Sequence, residues 1–382
     1  MPYAGVFPGV TRWFCLILAL WVSLSACSSC RIAVPDDGSV SLVSYNVENL
    51  FDARLDGTEY ADFTPASGWD EDNVASRLRA VSGVIRELRP RPDVLVLVEI
   101  ENRAVLDRLL DGYLADLPLD YRAVVRGSTT ATGVALASRY PITEVRALLA
   151  RSGETPPLRP IMEARLDLGD RDLGVFANHW KSKRGGAPAT EPLRRASARL
   201  LSERLLELAD AEPGTPVVVA GDLNEQPDEL RRNGQAYPTA LAPLELVASW
   251  NAAGGPEWYN PGFRASPRWI LLAPVDGSTA PAPVFAPPPP PTAPGAAPGR
   301  AAPVLLDPWS LVGAGGSYWY YGSWERIDHI LLNRSATDGA LQLQSFAAPA
   351  PSAALTAEGT PRDAAAGGPS DHLPVMAVFS RP

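Results

Sequence analysis

Several apolar segments of this chain end directly in side chains that can bind metals or phosphates. The run at residues 216–220 leads through Gly221 to Asp222 and Asn224, so a strand of the buried type delivers a carboxylate and an amide to its carboxyl end. Ligands of α/β proteins bind in the crevice beyond the carboxyl ends of the strands. We therefore predict one shared site, to which similar segments contribute Asn46 after residues 42–45, Glu99 after residues 94–98, and His179 after residues 174–177.

These residue types match the needs of phosphate ester hydrolysis. That reaction uses a cation to absorb charge on the phosphoryl oxygens, a group that positions and deprotonates water, and a donor for the departing oxygen. Oxygen ligands such as Glu99, Asp371 and Asn46 suit Mg²⁺ or Mn²⁺. Asp222 and Asn224 could hold the nucleophilic water or the metal, since they lie on the same side of an extended turn. We therefore predict a hydrolase with Mg²⁺ or Mn²⁺ as its cofactor.

The chain contains 3 histidines, and each follows directly on an asparagine or an aspartate. His179 and His372 each belong to a larger polar group at a strand exit or in a turn, which favours a catalytic role. His329 follows Asp328 within a predicted strand, where successive side chains point to opposite faces. We therefore expect His329 to be structural.

The charge of the chain limits the kind of nucleic-acid binding that it can support. A net charge of −9 and a pI near 5.0 argue against strong nonspecific binding, because most of that affinity comes from phosphate neutralisation. A local basic group nevertheless follows His179. Within it we predict that Lys181 and Lys183 bind substrate, whereas residues 194–199 form a solvated helix face.

The amino terminus has the pattern of a bacterial export signal. Arg12 precedes an apolar run at residues 13–24, which is too short to span a bilayer. The tetrapeptide that ends at Cys27 resembles the lipobox of lipoproteins, in which this cysteine becomes the lipidated first residue. We therefore expect a signal peptide at residues 1–26 and a lipidated tether at residues 27–38, with simple secretion or an uncleaved anchor as alternatives.

The lipobox also predicts where the protein is located, and the positions of the cysteines limit the disulfides and zinc sites of the folded body. Ser28 follows Cys27, and the usual sorting rule reserves aspartate at that position for inner-membrane retention, so we expect an outer-membrane lipoprotein on the periplasmic or cell-surface face. Cys15 leaves with the signal peptide and Cys30 lies in the tether. The folded body therefore has no internal disulfide and no thiolate zinc site.

Hydrophobic patterning predicts strands and helices that alternate in the first half of the chain, which indicates a mixed sheet system with helices packed outside. A proline-rich insertion is expected at about residues 275–308, because proline neither donates to a sheet nor continues a helix. The expected helices are residues 71–88, 104–117 and 193–209, and the expected strands are residues 41–47, 94–100, 122–125, 133–138, 162–168, 174–178, 216–220, 327–332 and 374–379.

Taken together and in order, these motifs resemble those of the endonuclease/exonuclease/phosphatase superfamily, in the bacterial secreted branch that is similar to pancreatic deoxyribonuclease. They spread over residues 41–380, nearly the whole mature chain. The resemblance implies a catalytic domain at residues 39–382 with a four-layer α/β sandwich, in which two mostly antiparallel mixed sheets lie face to face and are flanked by helices. The motifs are Asn46 to Asp52, Val98 to Asn102, Asn178 to Lys183, Gly221 to Asn224, Arg326 to Asp328, and Ser370 to His372.

The resemblance also implies a role for each site residue. Glu99 is expected to be the principal metal ligand, with Asn46 binding metal or phosphate and Asp371 as a second metal-associated acid. His179 is expected to donate to the phosphate or the leaving oxygen, and Asp222 and Asn224 to position water and the transition state. Asp328 would orient His372, the base or phosphate ligand, because a carboxylate fixes the tautomer of a paired imidazole and raises its basicity.

The superfamily resemblance leaves the substrate open, since fold and function are separable. We expect a secreted or surface-anchored nuclease that cleaves DNA or RNA and reaches the membrane only through its lipid anchor. The alternatives are a phospholipid or inositol-type phosphatase, a sphingomyelinase-like phosphodiesterase, and a non-catalytic binding lipoprotein. Trp180, Trp319, Tyr320 and Trp324 could stack bases or simply pack in the core. No feature of the sequence indicates an obligate protein partner.

Overall fold

The computed structural model describes residues 38–152, 158–243, 269–272 and 303–382. The predicted signal peptide at residues 1–26, Cys27 and most of the tether lie outside the described residues, as does the central part of the proline-rich insertion. Gly38–Pro382 form one compact unit. Within the described residues, no helix combines the length and apolar character required to cross a bilayer.

Two mixed sheets and a separate hairpin account for the strands in the part of the chain that the structure describes. One sheet has the order β15-β16-β1-β2-β4-β3, the other has the order β5-β6-β7-β8-β14-β11-β10-β9, and β12 pairs with β13. The strands are β1 (Ser39–Leu50), β2 (Val94–Ile100), β3 (Tyr121–Val125), β4 (Gly133–Ser138), β5 (Ile142–Leu148), β6 (Ile161–Asp167), β7 (Asp172–His179), β8 (Val217–Asp222), β9 (Leu241–Pro243), β10 (Trp269–Leu272), β11 (Val304–Leu306), β12 (Tyr318–Tyr320), β13 (Ser323–Glu325), β14 (Asp328–Leu332), β15 (Gln342–Ala347) and β16 (Val375–Ser380).

Each large sheet contains one parallel pair among antiparallel neighbours. β1 runs parallel to β2 in the first sheet, and β7 runs parallel to β8 in the second. The other strand pairs of the two sheets are antiparallel in the described residues. The prediction of mostly antiparallel mixed sheets is therefore confirmed.

The helices cover the outer faces of the two sheets. They are α1 (Glu71–Glu87), α2 (Arg103–Tyr113), α3 (Ala187–Ala211) and the short α4 (Glu229–Arg232). An apolar cluster joins α1 and α2 to the first sheet, and another joins α3 to the second. A third cluster, with Val96 of β2 and Val175 of β7, lies between the sheets. The four-layer sandwich is therefore confirmed.

Local sequence explains where the first two helices begin. Asp70 caps α1 by accepting hydrogen bonds from the backbone N–H groups of Asp72 and Asn73, and Asn102 caps α2 in the same way through Val105. Leu78 and Ile85 recur at helical spacing on the buried face of α1. The predicted α2 was too long, since the helix ends at Tyr113 rather than at residue 117.

The proline-rich insertion ends earlier than predicted. Residues 304–306 form β11, in which Leu306 pairs with Leu332 of β14, so they belong to the second sheet. Asp307 then caps a 3-10 turn at Pro308–Leu311 by accepting a hydrogen bond from Trp309 N–H. The boundary at residue 308 was wrong because Val304 to Leu306 carry no proline and are buried, which matches a short core strand.

Candidate active site

The second sheet places three predicted site residues in one row. β7 and β8 are in parallel register with His179 opposite Asp222, and β14 is in antiparallel register with Asp328 opposite Asp222. All of these side chains are buried. The register of this sheet therefore brings together residues that are up to about 150 positions apart along the chain.

Gly221 explains the Gly-Asp pair at the end of β8. Its φ is +130°, and a Cβ atom there would lie 2.0 Å from the carbonyl oxygen of Asn178. Only glycine allows this close approach of two strands. The approach fixes Asp222 beside His179, so the glycine has a positioning role.

The first sheet contributes its residues through a distorted edge. The ladder between β1 and β2 shifts register between Asn46 and Leu50, and Glu48, Asn49 and Glu99 have φ values of 48°, 60° and 68°. These left-handed conformations are uncommon outside glycine and are typical of functional sites. Asn49 N–H donates to Glu99 Oε2 at 2.9 Å, which holds the Glu99 carboxylate at the cleft.

A hydrogen bond joins the two sheets at the site. Asn46 Nδ2 of β1 donates to Asp222 Oδ2 of β8 at 3.1 Å. Asn224 Nδ2 donates to the same oxygen at 3.1 Å, while Asn224 N–H donates to Asp222 Oδ1 at 2.8 Å. Asp222 therefore accepts three hydrogen bonds, and its orientation is fixed from both sheets.

His372 pairs with Asp328, as predicted from the resemblance. His372 Nδ1 and Asp328 Oδ2 are 2.7 Å apart, and both side chains are buried. Ser370 holds the loop in place, since its hydroxyl accepts from His372 N–H at 3.0 Å and donates to the Asn46 carbonyl at 2.7 Å. Residues from both sheets and from the loop before β16 thus converge.

His179 faces two carboxylates. Its Nε2 lies 3.5 Å from Glu99 Oε1 and 3.8 Å from Asp222 Oδ2. Asp371 lies at the more exposed side of the site, with its Oδ1 at 3.8 Å from His372 Nε2. Every site residue predicted as catalytic or metal-binding is therefore part of one connected group, and the role of each stays a prediction.

The pKa values of the two histidines are moved in opposite directions. Burial, together with the charges of Arg159 and His372, lowers the pKa of His179 well below its usual value, so this imidazole is neutral. Burial also lowers the pKa of His372, but Asp328 and Asp371 act against it and raise the net pKa well above the usual value. Environments that separate the pKa values of two groups are a mark of acid–base assignment.

The pKa values of three carboxyl groups at the site, those of Asp222, Glu99 and Glu48, are raised. Burial, followed by the charge of Asp328, raises the pKa of Asp222 to about 7. Burial raises the pKa of Glu99, with Asp371 adding to the effect. Burial and the charge of Asp371 raise the pKa of Glu48, which lies two residues after Asn46, to about 7.

The acids of the site allow a test of whether its residues fit a divalent cation. Oxygen donors dominate the site, and Asp328 Oδ1 is buried without a hydrogen-bond partner among the described residues. One ligand atom each from Asp222, Asp328 and His372 lies within 4.8 Å of the others, although the imidazole already pairs with Asp328. Oxygen donors of this kind fit Mg²⁺ or Mn²⁺, and Glu99, Asn46 and Asp371 stay the predicted ligands.

The basic residues after His179 divide into structural and site-facing groups. Arg194 was expected on a solvated face, but its side chain is fully buried and pairs with Glu191 at 2.7 Å and Glu225 at 2.8 Å. That expectation was wrong because buried acids offset the guanidinium charge. Lys183 pairs with Glu229 at 2.6 Å, whereas Lys181 lines a pocket beside His179.

Arg159 is a site residue that the sequence analysis missed. It lines the same pocket, of about 280 Å³, together with His179 and Lys181, and it stands just before β6. β6 runs antiparallel to β7, so the start of β6 lies beside the end of β7 that carries His179. Predicting that β6 and β7 pair in antiparallel fashion would have placed Arg159 beside His179.

Arg77 is a second site residue that was missed, and it supports the site through hydrogen bonds to backbone carbonyls. The residue is 6% exposed. Its Nη1 donates to the Gly368 and Pro369 carbonyls at 2.5 and 3.0 Å, and its Nη2 donates to the Val47 and Glu48 carbonyls at 2.6 and 2.9 Å. Arg77 thus ties the end of β1 to the loop that carries Asp371 and His372.

His329 has the structural role that was predicted for it. Its side chain is buried, and its Nε2 lies 2.8 Å from the carbonyl oxygen of Glu225. It therefore anchors the segment after β8 from the face of β14 that is opposite to Asp328.

Comparison with known proteins assigns the family. The sequence profile of the endonuclease/exonuclease/phosphatase family matches residues 43–372, which include all of the site residues described above. The chain belongs to this family. It therefore has the fold of the phosphoesterase class of hydrolases. Comparison with curated protein sequences gives no match.

Three solved structures are similar to this chain at low sequence identity. An endonuclease/exonuclease/phosphatase protein from Beutenbergia cavernae has a TM-score of 0.50 and 16% identity, over 90% of this chain and 72% of that one. TDP2 from Caenorhabditis elegans has a TM-score of 0.49 and 15% identity, over 90% and 74%. The mannosyl-6-phosphatase of Bacteroides thetaiotaomicron has a TM-score of 0.46 and 15% identity, over 89% and 99%.

We predict that Arg77→Met both destabilises the fold and disrupts the site. The change leaves the Val47, Gly368 and Pro369 carbonyls buried without their donor and the Glu48 carbonyl partly buried without it, which costs about 1–3 kcal/mol for each group that water does not reach. We expect kcat to fall about a hundredfold, since small displacements of positioned groups have effects of this size. Arg79→Met, on the exposed face of the same helix, is the matched control. Steady-state kinetics with equal activity in both variants would contradict this role.

Proposed function

We propose that this protein is a metal-dependent phosphodiester hydrolase that cleaves nucleic acid. One observation carries the proposal. Asp222, which is oriented by two side-chain amides, lies in the same cleft as the His372–Asp328 pair. This arrangement supplies an acceptor for a proton of water and a cationic group for the phosphate, as hydrolysis requires.

Asp222 is the group that accepts the proton of the attacking water. Its pKa of about 7 is suited to a base at neutral pH, where the carboxylate both exists and accepts protons effectively. Asn46 and Asn224 restrict its rotation and fill Oδ2, so the remaining lone-pair site on Oδ1 points in a defined direction. Asn224 itself has a φ of 51°, which turns its amide back toward Asp222.

The two histidines act on the phosphate in different protonation states. His372 is an imidazolium held by Asp328, and it stabilises negative charge on the phosphoryl oxygens. His179 is neutral and lies between Glu99 and the Arg159 pocket, from which it donates a hydrogen bond to the phosphate or the departing oxygen. A divalent ion held by Glu99, Asn46 and Asp371 would add Lewis-acid stabilisation of the phosphoryl oxygens.

A chain of aromatic rings favours nucleic acid as the substrate. Tyr318 lies over His372 with ring centroids 4.6 Å apart, Tyr320 stacks on Tyr318 at 5.8 Å, and Tyr321 meets Tyr320 at 4.5 Å. We call Tyr318, Tyr320 and Tyr321 the aromatic track. Tyr320 is 47% exposed and Tyr321 is 92% exposed, so the track leads from the catalytic histidine into solvent.

The position of the aromatic track fits bases better than lipid chains. Bases have flat faces that stack on tyrosine rings, whereas the chains of a phospholipid are aliphatic. The track begins at His372, so a base stacked there would be linked to the scissile phosphate. On the side of His179, Arg159 and Lys181 could neutralise a neighbouring phosphate of a polymer.

We predict metal-dependent cleavage of nucleic acid by the full-length protein. A panel of plasmid DNA, single-stranded DNA, RNA, bis(p-nitrophenyl) phosphate, phosphoinositide and sphingomyelin would be assayed with Mg²⁺ and with EDTA. We expect Mg²⁺-dependent cleavage of DNA or RNA, and a loss of about a thousandfold in kcat for Asp222→Asn and for His372→Gln.

The control for these substitutions is Asp210→Asn, an exposed aspartate on α3 outside the cleft. Its kcat should equal that of the unmodified protein. Hydrolysis confined to phosphoinositide or sphingomyelin would replace the nuclease proposal by the lipid alternative. Absence of metal-dependent hydrolysis on the whole panel would contradict both.

We predict that the aromatic track contributes to binding of bases. Tyr320→Ala and Tyr321→Ala should lower kcat/KM on single-stranded DNA about fivefold to tenfold more than on abasic single-stranded DNA of the same length, since base stacking contributes about 1–3 kcal/mol per base. Tyr121→Ala is the matched control, because this tyrosine is 43% exposed at the edge of the first sheet. Equal losses on both substrates would argue against stacking.

We also propose that the protein is exported and anchored by lipid at Cys27, which the tetrapeptide ending at that cysteine supports. The prediction is that the unmodified protein incorporates labelled palmitate in a bacterial host and partitions into the detergent phase, whereas Cys27→Ser does neither. Cys30→Ser, a nearby cysteine outside the lipobox, should behave like the unmodified protein. Labelling of Cys27→Ser at the normal level would exclude this anchor.

A further inference from the structure

A second group of acids lies outside the cleft, where β1 and β2 end. It consists of Asp56, Glu59 and Glu101, and we call it the acidic loop cluster. One carboxylate oxygen from each residue lies within 4.8 Å of the others. Asp56 and Glu59 belong to the loop after β1, whereas Glu101 follows β2 directly.

Glu101 is the member of the cluster that points to a ligand. Its side chain is 0% exposed. Its Oε2 accepts a hydrogen bond from Asp52 N–H at 2.7 Å, but its Oε1 is buried and has no partner among the described residues. A buried carboxylate oxygen without a donor is costly, so native structures pair such groups with a donor or a cation.

Neighbouring backbone and hydroxyl groups hydrogen-bond to the two acids on the solvent side, since Asp56 N–H and Gly57 N–H donate to Glu59 and Thr58 donates to Asp56, but these donors carry no charge. Arg126 Nη2 pairs with Asp56 Oδ2 at 2.5 Å, and Arg126 Nη1 donates to Thr58 Oγ1 at 3.0 Å, so the guanidinium serves the Asp56 side. Asp52, itself buried, adds a further carboxylate beside Glu101. One cation thus faces four acids, which leaves a local surplus of negative charge.

We propose that the acidic loop cluster binds a calcium ion. Carboxylate oxygens are the ligands that Ca²⁺ prefers, and its flexible coordination of six to eight oxygens allows waters to complete a site built from three protein ligands on an exposed loop. Glu101 Oε1 would be the buried ligand, and Asp56 and Glu59 would close the site from the solvent side.

This cation site is separate from the catalytic one. The ladder between β2 and β4 shifts register at Glu99, which turns Glu99 toward Asn49 and His179, whereas Glu101 contacts Asp52. The loop that carries Asp56 and Glu59 continues to Tyr60, which lines the pocket beside His179. Calcium would therefore fix one wall of that pocket without touching the reacting phosphate.

The test measures cation binding directly, with Tb³⁺ luminescence and with Ca²⁺ titration in excess Mg²⁺. Trp69 can sensitise Tb³⁺, since its Nε1 donates to the Asp52 carbonyl at 2.8 Å. In excess Mg²⁺ we expect the full-length protein and Glu99→Gln to bind Tb³⁺ equally well at the site that Trp69 sensitises, and Glu59→Gln and Glu101→Gln to bind there at least tenfold more weakly. Ca²⁺ at a hundredfold excess over its Kd should raise the Tm of the unmodified protein by about 4 °C, but not that of Glu59→Gln.

Asp62→Asn is the matched control, because this exposed aspartate follows the same loop outside the cluster. It should bind Tb³⁺ like the unmodified protein. If Glu101→Gln fails to fold, Glu59→Gln decides, since Glu59 lies in the exposed loop. Unchanged binding in Glu59→Gln, or loss of binding in Glu99→Gln, would overturn the proposal.

Discussion

Asp222 carries a carboxylate at a position that is 2% exposed, next to other acids of the same cleft. Burial of a charge is unfavourable unless hydrogen bonds or opposite charges compensate. Asn46 from the first sheet and Asn224 from the turn after β8 both donate to it, so compensation requires the two sheets to meet at this point. The geometry of the cleft is therefore coupled to the packing of the whole sandwich.

The backbone at this edge is strained in a way that only a stable core tolerates. Glu48, Asn49, Glu99 and Asn224 all have left-handed conformations, each of which costs about 1–3 kcal/mol. Arg77 offsets part of that cost by donating to carbonyls at the end of β1 and in the loop before β16. Arg77 belongs to α1. The outer helix layer therefore helps to position the site residues, although Arg77 contacts their segments only through backbone carbonyls.

Much of the fold and site could be predicted because strand ends carry a clear local signal. Buried strands such as β2 read as continuous apolar runs, and the polar residue that follows each run marks the cleft, as for Glu99 and Asp222. The edge strands β5 and β15 were missed because their side chains are largely exposed and carry little apolar signal. Arg159 and Arg77 were missed for another reason, since their positions follow from strand pairing and helix docking rather than from local periodicity.

The same limit explains why neighbouring acids could not be separated from sequence. Glu99 and Glu101 are two positions apart, which in a regular strand would place them on one face. The register shift between Val98 and Ile100 directs Glu99 to His179 and Glu101 to the loop after β1 instead. Ile100 lies between the two acids and is fully buried, and its burial fixes the direction of the chain at this point. A single irregularity in one strand thus divides the acids of this edge between two environments, and each environment holds more negative than positive charge.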